Sequence, residues 1–300
     1  MSNRIRVVTH PAFKKAYASL QDFLKHAFSD NGQARCALLS GPSRCGKTTL
    51  AEMIKTYLEA LPPPPRRGDL GMERKRAIYV ETPAAATQKS MLETILLATG
   101  DPVTRNMSHA QLLNRVAGLL YDLDVELLIL DDFHHLITTG RRALAVEVAE
   151  TVKTLLNVGI CPILLVGVDP VCDIVTHNGQ LEGRCWCRPR VEPFGWETAA
   201  EQALFCKLLR QLATMFEVRP VFDAGDIGFA KRMHLATAGA IGIVTLLNEK
   251  TVALAQRYGL SALTLDLYAE AYDDWVGTAK PGEFKKVGGE MRNPFRLSKV

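Results

Sequence analysis

Residues 41–48 read GPSRCGKT, which matches G-x-x-x-x-G-K-[ST] at every fixed position. The stretch lies between the apolar run RCALLS, 35–40, which predicts a strand, and KTTLAEMIKTYLEAL, 47–61, whose apolar spacing predicts a helix. A strand that breaks at a glycine and resumes as a helix after a second one constrains the fold more than any other feature of this chain. Gly41 and Gly46 let the backbone wrap close to phosphate, and the positive end of the helix that follows reinforces the inward-facing amides. The motif predicts a phosphate cradle made by Gly41, Pro42, Ser43, Arg44, Cys45, Gly46, Lys47, Thr48 and Thr49. Within it, Lys47 would reach the β- and γ-phosphates and the Thr48 hydroxyl would ligate a metal, so ATP and Mg²⁺ are the implied cofactors.

Such a loop belongs on a parallel sheet, and the downstream pattern supplies one. AIYVE (77–81), LLIL (127–130) and CPILLVGV (161–168) are short, nearly all-apolar runs separated by helical patterns near 87–99, 108–121 and 141–159. An amphipathic helix at 9–28, with Phe13, Ala16, Tyr17, Leu20 and Leu24 at helical spacing, precedes the first strand. After residue 194 the β signal ends, and four helical stretches at 196–216, 224–237, 241–259 and 265–277 predict a bundle. The expected fold is α/β: a nucleotide-binding parallel sheet flanked by helices, followed by a helical lid. The expected division is 1–35 as a leading helix, 36–193 as the core, 194–276 as the lid and 277–300 as a flexible tail rich in Gly, Pro and Lys. The prolines at 62–65 stop the second helix and open the segment 62–76, which reads as a basic, exposed loop.

The strand LLIL ends in two aspartates. Asp131 sits at the carboxyl edge of the sheet, where open α/β sheets bind ligands, and is expected to hold Mg²⁺. Asp132 occupies the place of a carboxylate that orients attacking water. It is one methylene shorter than glutamate, and a misplacement of about 1 Å can cost roughly a hundredfold in rate, which points to slow hydrolysis. The bland alternative for Asp132 is a helix N-cap ahead of FHHL. His134 and His135 read as structural or partner-facing, since no third metal ligand is visible nearby.

Composition narrows the class. A chain of 300 residues with 47% hydrophobic and 23% charged residues suits an ordinary globular protein. No apolar run approaches the roughly 18 residues needed to span a bilayer, and the first residues lack a signal-peptide core, so a cytoplasmic protein without a membrane role is expected. Seven scattered cysteines read as reduced thiols, and the lone CWC at 185–187 lacks the second pair that zinc requires. A net charge of +4 permits nucleic-acid binding without demanding it.

The order of pieces, GPSRCGKTTL, ETP with a helix, LLATGDP, LLILDDFHHL, NVGICPILLVGVDP and QLEGRCWCRPRVEPF, resembles the TniB/TnsC family of transposon AAA+ ATPases, relatives of the transposition protein MuB. The resemblance runs from about residue 10 to 260. It implies an ATP-dependent regulator that oligomerises as a ring or helical filament around duplex DNA without reading sequence, and that links a TniQ-type target selector to a DDE transposase. Carried over by position, it implies that Asp132 and Lys47 act in hydrolysis. Arg184 would reach the nucleotide of a neighbouring subunit, with Arg188 and Arg190 close enough to compete. Lys89, Arg105 and Ser108 would contact DNA phosphates. The loop cations Arg66, Arg67, Arg74, Lys75 and Arg76 form a second candidate surface, and the terminal NPFRLSKV reads as a disordered end or an extended docking peptide.

Where the family usually has glutamate this chain has Asp132, and where it commonly has a polar sensor after the fourth strand this chain has Val168. A lid arginine found in many AAA+ proteins is replaced by Ile243. These departures point to a slow switch. Two alternatives stay open: a P-loop NTPase or kinase acting on a small molecule independently of DNA, and a non-hydrolysing, ATP-gated adaptor.

Overall fold

The computed structural model describes residues 11–67, 71–83, 87–102, 107–133, 142–169, 172, 175–176, 179–277 and 293–297. It resolves into two compact units, one formed by Pro11–Val191 and the other by residues from Glu192 onward.

The first unit is a five-stranded parallel sheet. Strands β1 (Cys36–Leu39), β2 (Ala77–Glu81), β3 (Leu127–Asp131), β4 (Ile163–Val166) and β5 (Cys185–Cys187) lie in the order β2-β3-β4-β1-β5. All residues of β1, β3 and β4 are buried, which is why their sequences are continuous apolar runs and not alternating ones. The crossovers are α2 (Lys47–Ala60), α3 (Gln88–Thr99), α4 (His109–Asp122), α5 (Arg142–Val158) and the four-residue α6 (Gly179–Glu182). The core includes Leu38, Ile95, Val116, Leu130, Val152 and Leu165. Helix α1 (Pro11–Lys25) buries Phe13, Ala16, Leu20 and Phe23 and belongs to this unit together with the sheet.

Strand β5 was not legible as a strand. It is a three-residue edge, and its register follows β1, with Cys36 opposite Cys185 and Ala37 opposite Cys187 across an irregularity. Helix α1 fastens it from outside. The Trp186 indole stacks on His26 at 4.7 Å and donates to Asp22 at 3.1 Å, the Arg35 guanidinium lies 4.6 Å from its ring, and the Cys187 thiol reaches the Ser19 carbonyl at 3.6 Å.

The second unit holds α7 (Ala199–Ala213), α8 (Ile227–Thr237), α9 (Ile241–Arg257) and α10 (Leu265–Gly277) around Phe205, Phe229, Leu247 and Tyr268. These are the four helices the periodicity predicts. They are joined by a pair of two-residue strands, β6 (Arg219–Pro220) and β7 (Ala262–Leu263), that the pattern does not reveal. Of the terminal NPFRLSKV, expected as a disordered end or an extended docking peptide, residues 293–297 are described and lie against this bundle. A 3₁₀ turn, Pro294–Arg296, packs on this bundle with Phe295 buried against Phe229, Tyr268 and Tyr272. Arg232 donates to the carbonyls of Pro294 and Leu297, and Asn293 to the carbonyl of Ala269. The intervening 278–292 lie outside the described residues.

The loop cations have internal partners that the sequence does not show. Arg67 and Arg74 pair with the fully buried Asp124 at 3.1 and 2.7 Å, and Arg74 and Arg76 pair with Glu126. Arg66 donates to the carbonyls of Met72 and Asp122, and Lys75 to that of Thr99. Arg67, Arg74 and Arg76 are thus committed to two carboxylates of the fold, which lowers the charge they offer to DNA, while Arg66 and Lys75 bond only backbone carbonyls and keep theirs.

All seven cysteines are free. Among the described residues no single helix is long and apolar enough to cross a membrane.

Replacing Phe295 by alanine removes the aromatic anchor of the terminal turn. We expect a loss of about 3 kcal/mol from the helical unit and faster proteolysis after α10, measured by urea denaturation and limited digestion.

Candidate nucleotide-binding site

The glycine loop emerges from β1 and enters α2 at Lys47. Gly41 has φ 143° and Gly46 φ 93°, both in the region that favours glycine, and Arg44 has φ 60°. At Gly41 the requirement is spatial as well, because a Cβ there would sit 2.1 Å from the Val191 carbonyl oxygen. No side chain caps the first turn of α2. Its leading amides are therefore left for an anion, an arrangement that suits phosphate.

Lys47 is buried and donates to the Pro42 carbonyl at 2.7 Å, across the loop. Burial lowers the pKa of its ammonium, while Cys45, Asp131, Asp132 and Asp169 oppose that shift. A desolvated cation held at the mouth of uncapped amides is the partner that a polyphosphate offers to satisfy.

Asp131, buried at the end of β3, is the hub. Its Oδ2 accepts from the Thr48 hydroxyl at 2.8 Å and from the Tyr79 hydroxyl, and its Oδ1 accepts from the Asp132 amide at 2.7 Å. Thr48 and Asp131 thus present two oxygens side by side. Hard divalent cations such as Mg²⁺ take such donors and complete their shell with water and phosphate. Among the described residues no group of three or more His, Cys, Asp or Glu could hold a metal without such help. The residues present therefore fit a metal that arrives with its nucleotide.

Tyr79 was missed in the sequence. Its signal is positional: β2 pairs in register with β3, Tyr79 opposite Ile129 and Glu81 opposite Asp131, so a hydroxyl two residues before the strand end can reach the carboxylate. Burial, and then the hydrogen bond to Asp131, raise the pKa of its phenol.

Asp132 has φ 52°, the left-handed region that aspartate tolerates. Helix N-caps sit in extended backbone, so this geometry differs from the N-cap alternative. Phe133 of FHHL is buried in the core of the sheet unit, while His134, His135 and Leu136 lie outside the described residues. Val168 follows β4, the strand between β1 and β3.

Arg184 lies between α6 and β5. Arg188 pairs with Glu182 at 3.0 Å and Arg190 with Asp169 at 2.9 Å, whereas one terminal nitrogen of Arg184 is buried with no hydrogen-bond partner. Of the three arginines, Arg184 is the one with a buried donor nitrogen that lacks a hydrogen bond.

Lys89 and Ser108 stand at the starts of α3 and α4. Gln88 donates to the Glu147 carbonyl at 2.9 Å and the His109 ring approaches the Thr151 hydroxyl at 3.5 Å, which gathers both helix starts on one stretch of α5. Lys89 is exposed, 3.9 Å from Glu93, while the Ser108 hydroxyl serves as N-cap and accepts from the Gln111 amide. That capping role was not anticipated. Arg105 lies outside the described residues.

A glycine loop after the first of five parallel strands, a buried aspartate after the third and a trailing helical unit define an AAA+ fold. Solved structures of that class match along nearly the whole chain: the ORC2 protein of Aeropyrum pernix in ADPNP-ADP complexes (20% identity, TM-score 0.63, 92% of this chain and 69% of that one), Cdc6p from Pyrobaculum aerophilum (13%, 0.61, 90% and 69%) and the RuvB Holliday junction branch migration motor of Thermotoga maritima (15%, 0.52, 91% and 71%). The chain belongs to the TniB family: the model for the bacterial TniB protein matches residues 2–190. No curated protein matches it.

Gly41→Ala is expected to destabilise the sheet unit by about 2 kcal/mol from backbone strain alone and to abolish nucleotide binding, checked by melting temperature and a fluorescent ATP analogue. The thiols give a pH prediction. A hydrogen bond from Cys36, opposed by burial and aided by Arg188, holds Cys185 down at about 7, and burial pushes Cys187 up to about 11. Alkylation of Cys185 by iodoacetamide should therefore fall off only below about pH 7, while Cys187 stays protonated and slow, as mass spectrometry of the peptide will report.

Proposed function

We propose that this protein is an ATP-dependent, DNA-binding regulator of transposition that assembles on target DNA as a ring or helical filament. In this reading it links a TniQ-type target selector to a DDE transposase. One observation carries the proposal: in a chain of the TniB family, the uncapped glycine loop, the buried Lys47 and the Thr48–Asp131 oxygen pair converge at the carboxyl edge of the sheet.

The residue roles follow from their chemistry. Lys47 and the loop amides bind the phosphates, with Gly41, Pro42, Ser43, Arg44, Cys45, Gly46 and Thr49 shaping the cradle. Thr48 and Asp131 hold Mg²⁺, which supplies charge neutralisation on the phosphates when bound. Asp132 orients water. Its short side chain on a left-handed backbone, together with the apolar Val168, supports slow turnover suited to a switch. Arg184, whose planar, always-charged guanidinium suits phosphate oxygens, completes the site of a neighbouring subunit.

DNA is held through phosphates. Lys89 and Ser108 stand at two helix starts that gather on α5, which supports them as phosphate contacts, and Arg105 joins them in this reading by sequence alone. Cations, hydroxyls and helix N-termini bind backbone oxygens without reading bases. A repeated assembly needs only a few such contacts per subunit, which reconciles DNA binding with a net charge of only +4.

The test is steady-state phosphate release with and without duplex DNA, with negative-stain imaging of the same samples in ATP and in ADP. Slow, DNA-responsive release and ATP-dependent rings or filaments are expected. Lys47→Ala should lose the assembly, Arg184→Ala should lose it while its isolated subunits still bind nucleotide, and Asp132→Glu should speed release by up to roughly a hundredfold. Monomers indifferent to DNA would overturn the proposal in favour of an NTPase or kinase with a small-molecule substrate.

A further inference from the structure

Asp131 has more donors than its place in the loop chemistry requires. An ionised carboxylate offers about four acceptor positions, and three are filled by the Thr48 hydroxyl, the Tyr79 hydroxyl and the Asp132 amide. Thr48 comes from the start of α2 and Asp132 from the adjoining peptide, so both follow from the fold around the glycine loop. Tyr79 comes from a separate strand. It is half-buried in β2, where an aliphatic side chain like those of Ile78 or Val80 would fill the same register without placing an oxygen on Asp131.

We propose that Tyr79 is a positioning residue for the metal, its hydroxyl locking the Asp131 carboxylate in the orientation that sets Oδ2 beside the Thr48 oxygen. The inference rests on the nucleotide reading above and adds a residue to it. A carboxylate at the end of a strand has two side-chain torsions, and the Asp132 amide and Thr48 hydroxyl both lie on segments that bracket bound phosphate. Tyr79 is the donor on an element that carries neither the loop nor the carboxylate, so it holds Asp131 in place whatever those segments do. Partners one shell away from a metal typically set its affinity by ten- to a hundredfold. The bland alternative is that Tyr79 only packs the sheet and finds the nearest acceptor for its hydroxyl.

Tyr79→Phe separates the two, because it keeps the ring and removes only the oxygen. Binding of mant-ATP is titrated in EDTA and then against Mg²⁺, and Mn²⁺ binding in the presence of ATP is read by electron paramagnetic resonance. In the variant, mant-ATP affinity in EDTA should match that of the parent within about twofold, while half-saturating Mg²⁺ and the Mn²⁺ dissociation constant rise on the order of tenfold. Phosphate release at saturating Mg²⁺ should change far less than at limiting Mg²⁺. A parent that responds to the metal and a Tyr79→Phe variant with the same metal dependence, whatever its melting temperature, would overturn this inference alone. A parent that binds no mant-ATP at any Mg²⁺ concentration would overturn the nucleotide reading and this inference with it.

Discussion

The buried carboxylate of Asp131 organises this molecule. An ion in the interior is tolerated only when its oxygens are paired, and here the pairing draws on β2 through Tyr79, on α2 through Thr48 and on the chain's own turn through Asp132. Each donor arrives because the sheet is parallel and in register, so that the carboxyl ends of the strands and the start of α2 meet at one edge. Lys47 is the counterpart. Its ammonium loses solvation in the same place, and the nearby carboxylates limit the consequence. A partly desolvated cation and a paired, buried carboxylate at one sheet edge suit a nucleotide's phosphates.

Sequence legibility followed the range of the interaction. The glycine loop, the apolar strands and the helical periodicity are local, and the sheet, its helices and the bundle were all expected from them. What was missed is held by partners far along the chain. The cations at 66–76 looked solvated because Asp124 and Glu126 are about 50 residues away in sequence, and nothing local announces that they fold together. Strand β5 is too short to show a period and is defined by β1 on one side and Trp186 against α1 on the other. The terminal turn reads as tail by composition, yet one phenylalanine is enough to bury it among three rings. Tyr79 carried no motif at all; only the register of β2 with β3 brings it to the aspartate.

The same sheet joins the nucleotide loop to the segment bearing Arg184. The Cys36 amide donates to the Arg184 carbonyl at one end of β1, and at the other the Ser40 amide donates to Pro189 while the Val191 amide returns a bond to Ser40. Gly41, the next residue, packs so closely on the Val191 carbonyl that no side chain fits between them. Residues 184–191 are therefore fixed to the strand that leads into the glycine loop, and α1 clamps them from outside through Trp186 and Cys187. A displacement of the loop at Gly41 must either carry Val191 with it or break the hydrogen bonds that tie Ser40 to 189–191. Packed elements of this kind move as one body more readily than they deform. If Arg184 serves a neighbouring subunit, its position is set by the same strand that sets the phosphate cradle of its own, and the two halves of a composite site are built on a single rigid edge.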